Sequence, residues 1–448
     1  MSIQAIVLAT FDAKEGYNVE NYYPGDFNVE GIEYLLFPSG IQELDNCTIF
    51  FRFQDQLCLS VFSKLQHPSF ERSAFFTSVG LILSDDINFG EAVVKYGETL
   101  LYIANGLSLA TLKYKFGEDA SETYASEKCT SHQLSDSDFF KSLQTSAVNL
   151  EFDSLFEKLQ GNKFAILGAN SKELSQSYAT ILLDHLGPAF YCLYKFALQR
   201  KRILLISSHD DQLYSIIDMI VRLSSIKRSS DASIPILLSD LHPFYSVGLA
   251  NTSTLLDNDL EEGWIACTTD TVLLSKSSLY DLALYWPDNS FNANKYPQIF
   301  NSNSIRIKPS YDDLINFKGL SRYLSFDGES SWGLTTYSLA SKYIFNTSHH
   351  NLTDQEFLNE NMLDYFQRYN QKLLTVLSSN AESFNVSDMQ TLGLNPCHSL
   401  DKSFVSEISQ IWLKKHINWQ YGKYFWLRRV SLIFLASTCF LFILWKLL

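Results

Sequence analysis

An α/β architecture in several modules, followed by a single membrane-spanning helix, is the fold class this sequence predicts. Strand-length apolar runs dominate up to about residue 115, helix and strand periods alternate from residue 139, and the chain closes on the uncharged run Val430 to Trp445.

The N-terminal elements come first. Ile3 to Ala9 is an apolar run of strand length. Cys47 to Phe53 and Leu57 to Lys64 are aromatic and β-branched, and Gln54-Asp55-Gln56 between them predicts a hairpin. Phe75 to Leu83 reads as a third buried strand. Phe89 to Ala104 has helical spacing through Val93, Val94, Tyr96, Leu100, Leu101 and Ile103. Residues 1–115 thus predict a small sheet with one helix on it. Residues 116–138 turn to Ser, Thr, Asp and Glu, a composition too polar to bury, and read as a linker.

Residues 139–310 alternate. Tyr178 to Gln199 predicts two helices broken at Gly187-Pro188, since proline is favoured in a first turn. Arg202 to Ser207 and Pro235 to Ser239 read as strands around a helix over Gln212 to Ile226, which puts Leu213, Ile216, Ile217, Ile220 and Leu223 on one face. Trp264 to Thr268, Leu282 to Tyr285 and Ile305 to Ile307 add further strands. Residues 311–420 read as mainly helical, with Asp354 to Leu377 entered through Thr353 as N-cap and Phe404 to Trp419 as a later helix.

Residues 428–448 predict the membrane anchor. A helix over 430–445 rises roughly 24 Å, and snorkelling of Lys446 extends it to about the thickness of a thin bilayer. Arg428 and Arg429 precede it, Val430, Phe434 and Phe440 lie within the apolar stretch, and Trp445 and Lys446 close it. A buried core helix would carry a polar face, which this run lacks. The basic excess upstream keeps the bulk of the chain cytosolic, so the expectation is a single-pass tail anchor in the endoplasmic reticulum, with the Golgi as alternative. The N-terminus has no basic n-region of a signal peptide. The seven cysteines contain no CxxC pair and read as reduced thiols. The N-x-S/T triplets at Asn46, Asn251, Asn346, Asn351 and Asn385 read as chance matches on a cytosolic chain.

A net charge of −14 argues against a nucleic-acid partner, whose phosphates need a basic surface. The chain has neither a Walker loop nor a dinucleotide fingerprint, and no H-E-x-x-H, so no cofactor and no metal is expected. Gly106 to Ala110 (GLSLA) lacks the second glycine of a nucleophile elbow and reads as a turn between helix and strand. His349-His350 reads as exposed loop. His209-Asp210-Asp211 follows the Arg202 to Ser207 strand, where α/β folds often bind ligands, but Asp210 or Asp211 serves equally well as N-cap of the next helix, and the cap is the favoured reading. No catalytic residue is assigned.

Several segments, taken in order, carry a family likeness. They are Phe37-Pro38-Ser39-Gly40-Ile41, the Thr48 to Lys64 hairpin, Glu71 to Ala74 with Ser78-Val79-Gly80, and Leu186-Gly187-Pro188. They continue with Lys195 to Leu198, Lys201 to Leu204, His242 to Leu249, Trp264 to Asp270 and Lys276 to Asp281. Together they resemble the DENN-domain family, in particular its LCHN and fungal Avl/Anr branch. The resemblance implies a longin-like module over 1–115, a central α/β DENN module over 139–310 and a helical downstream module over 311–420. It also implies a guanine-nucleotide exchange factor or regulator of Rab-type small GTPases in vesicle transport. Such a protein favours the empty GTPase, and by linkage weakens its nucleotide equally, without an acid or base of its own. The alternative is a membrane adaptor or tether that binds GTPases or trafficking proteins without exchange. Partner-binding residues implied by the resemblance are Gly40, His242, Phe244, Tyr245, Thr268, Thr269 and Asp270. Each also has a plain structural use, as turn, core or cap.

Overall fold

The computed structural model describes residues 3–12, 16–38, 45–68, 70, 74–83, 89–116, 182–183, 186–207, 211–226, 240–256, 263–286, 297–324 and 352–420. The expected strand 235–239, the linker, His349-His350 and the anchor 428–448 lie outside these residues. Among the described residues no helix is long and apolar enough to cross a membrane. The chain forms two compact units: Met1–Ile181, Arg202–Ile220 and His242–Arg306 make the first, and Leu182–Lys201, Val221–Leu241 and Ile307–Leu448 make the second.

The first unit is built on a ten-stranded sheet. Its strands are β1 (Ile3–Asp12), β2 (Gly16–Tyr23), β3 (Asn46–Phe53), β4 (Gln56–Gln66), β5 (Ala74–Leu83), β6 (Ile203–Ile206), β7 (His242–Ser246), β8 (Trp264–Thr268), β9 (Leu282–Tyr285) and β10 (Gln298–Asn301). The order across the sheet is β10-β9-β6-β8-β7-β3-β4-β5-β1-β2. β1 to β5 pair antiparallel, whereas β7, β8, β6 and β9 pair parallel. The two patterns meet at the antiparallel pairing of Phe51 in β3 with Tyr245 in β7.

The hairpin expected around residues 54–56 forms with Phe53 opposite Gln56, and Gln54 and Asp55 take positive φ of 50° and 62°. Both central residues are then left-handed, as a tight two-residue turn matching strand twist requires. β5 is buried over nearly its whole length, the pattern of a strand covered on both faces. One cover is the helical run α1 (Phe89–Ala92), a π turn (Val93–Gly97) and α2 (Glu98–Phe116), from which Ser108 Oγ donates to Thr77 Oγ1 at 2.9 Å. The opposite cover is the segment around Ile32 and Leu36. There Ser60 Oγ and Ser78 Oγ donate to Leu36 O at 2.8 and 2.6 Å.

At four places the structure departs from the pattern expected of the sequence. Gly106 to Ala110 lies inside α2 and makes no turn, because Leu107 and Ser108 are buried on the helix face. Ile305 to Ile307 makes only an isolated bridge, Phe300 to Arg306, and the paired strand is β10. Two more concern the second unit, whose helices after α4 (Asp211–Ser224), which begins in the first unit, and α5 (Thr252–Leu255) of the first are numbered on. They are α3 (Phe190–Leu198), α6 (Tyr311–Leu324), α7 (Leu352–Asn380), α8 (Val386–Thr391) and α9 (Ser399–Leu413). Thr353 lies within α7, which starts at Leu352. The helix expected to reach Trp419 ends at Leu413, where Lys414 adopts a left-handed cap at φ 53° and Lys415 N bonds back to Ser409 O. Trp419 and Gln420 instead pair parallel with Phe384 and Asn385.

Candidate partner-binding site

β7 and β8 place six of the seven residues implied as partner-binding, and Gly40 lies outside the described residues. The membrane residues Arg428, Arg429, Val430, Phe434, Phe440, Trp445 and Lys446 also lie outside them. His242 opens β7 level with Trp264 of β8, and Phe244 follows, its ring 4.7 Å from that of His242 and 6.2 Å from that of Trp264. Thr268 ends β8, roughly 13 Å further along at ~3.3 Å per residue. The structure therefore separates His242 and Phe244, at the amino end of these parallel strands, from Thr268, Thr269 and Asp270, at the carboxyl end.

Tyr245 sits between the two groups and is buried, at 4% exposure. Its hydroxyl donates to Asp218 Oδ1 at 2.6 Å, and burial first, then the Asp218 charge, push the phenol well above its ordinary pKa. Thr268 is also buried, and its Oγ1 accepts from Asp270 N at 3.0 Å. Asp270 Oδ1 accepts from Val272 N at 2.9 Å and so caps the short 3-10 helix Thr271–Ser275. The half-buried Thr269 and Asp270 stand on the rim above these caps.

The carboxyl end of a parallel sheet is where α/β folds present their binding loops. Here it carries apolar surface. A short turn after β7 (Leu249–Asn251) leads into α5, and the Thr271–Ser275 helix follows β8. Their inward residues, Leu255 and Leu273, pack into one cluster with Val247, Leu279 and Tyr280. Their outward residues Leu249, Leu256 and Val272 are 50%, 43% and 53% exposed. Exposed Ser253, Thr254, Thr271 and Ser275 accompany them. Apolar side chains among small hydroxyls suit contact with a protein surface, since they desolvate cheaply. Sequence periodicity missed these residues because a turn of four or five residues is too short to show a period. Among the described residues, no group of three or more His, Cys, Asp or Glu could hold a metal.

Two of the segments that carry the family likeness are tied to each other through Arg202 and Asp281. Arg202 N and Nε donate to Asp281 Oδ2 and Nη2 to Oδ1, at 2.9, 3.3 and 3.0 Å, while Nη1 donates to Ser278 O at 2.9 Å. Those contacts lock the start of β6 to the turn before β9. A sequence model of the DENN domain-containing protein 11 family matches residues 6–296. The chain belongs to this DENN-domain family. The DENN domain-containing protein 11 of Danio rerio is 24% identical over 309 residues, covering 62% of this chain and 53% of that protein. Its Xenopus laevis counterpart is 24% identical over 301 residues, covering 62% of this chain and 59% of its own length. The chain thus spans a little over half the length of these curated relatives. The match runs from β1 almost to β10, the span of the ten-stranded sheet, so a mixed α/β fold with one large sheet is what the DENN assignment and the structure share.

Proposed function

We propose that this chain binds a Rab-type small GTPase and acts on it as a guanine-nucleotide exchange factor or regulator in vesicle transport. The observation that carries the reading is the exposed Leu249, Leu256 and Val272 at the carboxyl ends of β7 and β8, in a DENN-domain chain. Thr269 and Asp270 supply polar contacts beside them, and His242 and Phe244 line the amino end of the same strands. Buried Tyr245 and Thr268 shape the strands from within. Gly40 is a further partner-binding residue in this reading, assigned from the sequence alone. An exchange factor needs no bond-making group; it needs a surface that prefers the nucleotide-free GTPase.

The finer assignments rest on sequence. We place the chain in the LCHN and Avl/Anr branch, and its apolar run 430–445 in the membrane of the endoplasmic reticulum or Golgi, with the bulk of the chain cytosolic. Resistance to carbonate extraction tests the insertion.

Release of mant-GDP from a Rab panel, with the full chain in nanodiscs, tests the activity. We expect acceleration for at least one Rab, reduced at least about tenfold by Leu249→Asp with Val272→Asp, since docking would then bury two unpaired carboxylates. Binding to the GTP-loaded form without acceleration makes the chain an adaptor or tether. Acceleration undiminished by the double substitution moves the docking surface elsewhere.

A further inference from the structure

The junction inside the ten-stranded sheet is held by a residue in an unfavourable backbone conformation. Tyr245 has φ +60°, a left-handed state that bulky L-residues seldom adopt. It follows a register shift between Pro243 and Tyr245 in the pairing of β7 with β8, and it pairs with Phe51 where the antiparallel strands meet the parallel ones. Such a conformation persists only when its surroundings over-determine it. The surroundings here are specific: the Tyr245 ring lies 4.6 Å from Phe50 and 6.4 Å from Tyr214, and Phe89 closes the cluster against both Phe50 and Tyr214. Arg52 Nε donates to Pro243 O at 2.8 Å, fixing the residue before the kink. The Tyr245 hydroxyl reaches across to Asp218 on α4.

We propose that the Tyr245–Asp218 hydrogen bond is a latch that holds β7 in its kinked register, so that releasing it lets β7 relax and opens the seam between β3 and β7. The antiparallel and parallel halves of the sheet then behave as one plate when the latch is closed and as two when it is open. α4 carries the catch, so whatever displaces Asp218 acts on the seam. The device is independent of which partner docks on the rim, and it would stand if no GTPase bound.

Hydrogen exchange on the full chain in nanodiscs tests the latch. Asp218→Ala and the conservative Tyr245→Phe each remove the bond. Both should raise amide exchange over Asn46–Phe53 and His242–Ser246 at least about tenfold, and leave β1, β2, β9 and β10 unchanged. Tyr245→Gly removes the kink's backbone strain along with the hydroxyl. Adding Asp218→Ala to it should therefore change nothing further at the seam. Unchanged exchange in Tyr245→Phe overturns the proposal. So does a rise spread evenly over all ten strands, or an Asp218→Ala effect that persists in the Tyr245→Gly background.

Discussion

The two units solve the same packing problem with different materials. The first specifies its interior with long apolar strands and small hydroxyls: Ser60 and Ser78 satisfy a single carbonyl, that of Leu36, and aromatic rings fill the rest. The second places a charged group at its centre. Lys195 of α3 donates to Asp313 of α6 at 2.6 Å and to Asp401 of α9 at 2.5 Å, and all three are almost wholly buried. Asp313 Oδ2 also accepts from Ser310 N, and Asp401 Oδ2 from Asn395 N, both at 2.8 Å. Each carboxylate therefore closes a turn at its helix start while facing the same ammonium. Paired strands are held in register by their hydrogen-bond ladder and by tight turns such as Gln54-Asp55, but three helices with apolar faces can slide or rotate, and a polar tie that fits only one arrangement selects it. Around this tie Trp412 Nε1 donates to Leu198 O at 2.9 Å, and Arg200 stacks 4.8 Å over the Trp412 ring.

The largest effect that could break this comparison comes from Lys195→Met. It strands two buried carboxylates and should destabilise the second unit by about 3–5 kcal/mol, as for a broken buried pair. Exchange over α3, α6 and α9 would rise while the sheet strands keep their protection. Replacing Asp313 and Asp401 by Asn in that background should recover much of the loss; if Lys195→Met itself costs little, the helices are specified by their apolar faces alone. The same lysine gives the second unit a pH signature. Burial, the largest single influence, lowers its pKa, but the two carboxylates together outweigh it and leave it raised above 10.5. A raised folded value means stability fully present below 10.5 and lost as pH rises through the folded pKa. Alkaline melts should show a decline above pH 10.5 that is shallower in Lys195→Met, where the buried phenols of Tyr191, Tyr194 and Tyr369, also raised by burial, still drive it.

A smaller effect probes the first unit. A Cβ on Gly80 of β5 would collide with Leu36 Cδ2, and Leu36 is pinned through its carbonyl and fully buried. Gly80→Ala should cost about 1–3 kcal/mol, the usual range for overpacking, seen as a lower urea midpoint with an unchanged m-value. Gly393→Ala in the second unit makes a matched control. There φ is +67° and the new carbon would lie 2.6 Å from Asn316 Oδ1, so similar losses are expected in each unit from unrelated causes. The smallest change is Asp270→Ala, which removes the cap on the Thr271–Ser275 helix. It should cost about 1 kcal/mol and loosen exchange there alone.

The difference between the units also decided what could be read in advance. The strand runs around Phe51, Val79, Leu204 and Ala266 announce themselves because burial on both faces leaves an unbroken apolar stretch. β2 escaped notice, since it is an edge strand whose GYNVENYY is polar enough to pass for a loop. The pairing of β3 with β7 joins Phe51 to Tyr245 across a long stretch of sequence, and no local period encodes that. The Lys195 cluster was equally hidden: each residue alone looks like solvated helix surface, and only the fold brings them together. Asp270 as a turn cap was legible, because its chemistry is satisfied two residues away. The exposed leucines of the rim were not, because exposure is a property of what the rest of the chain leaves uncovered.

The alternation of the two units along the chain has a consequence for how the molecule is made. α3 leaves the ribosome early, yet Asp401, the last partner of Lys195, follows 206 residues later. At translation rates of ~5–20 residues per second, that delay is on the order of 10–40 s. Throughout it a nascent apolar helix must wait with an ammonium that has nothing complete to dock against. Vectorial synthesis thus leaves the ammonium of α3 without its full set of carboxylates until residue 401 has emerged.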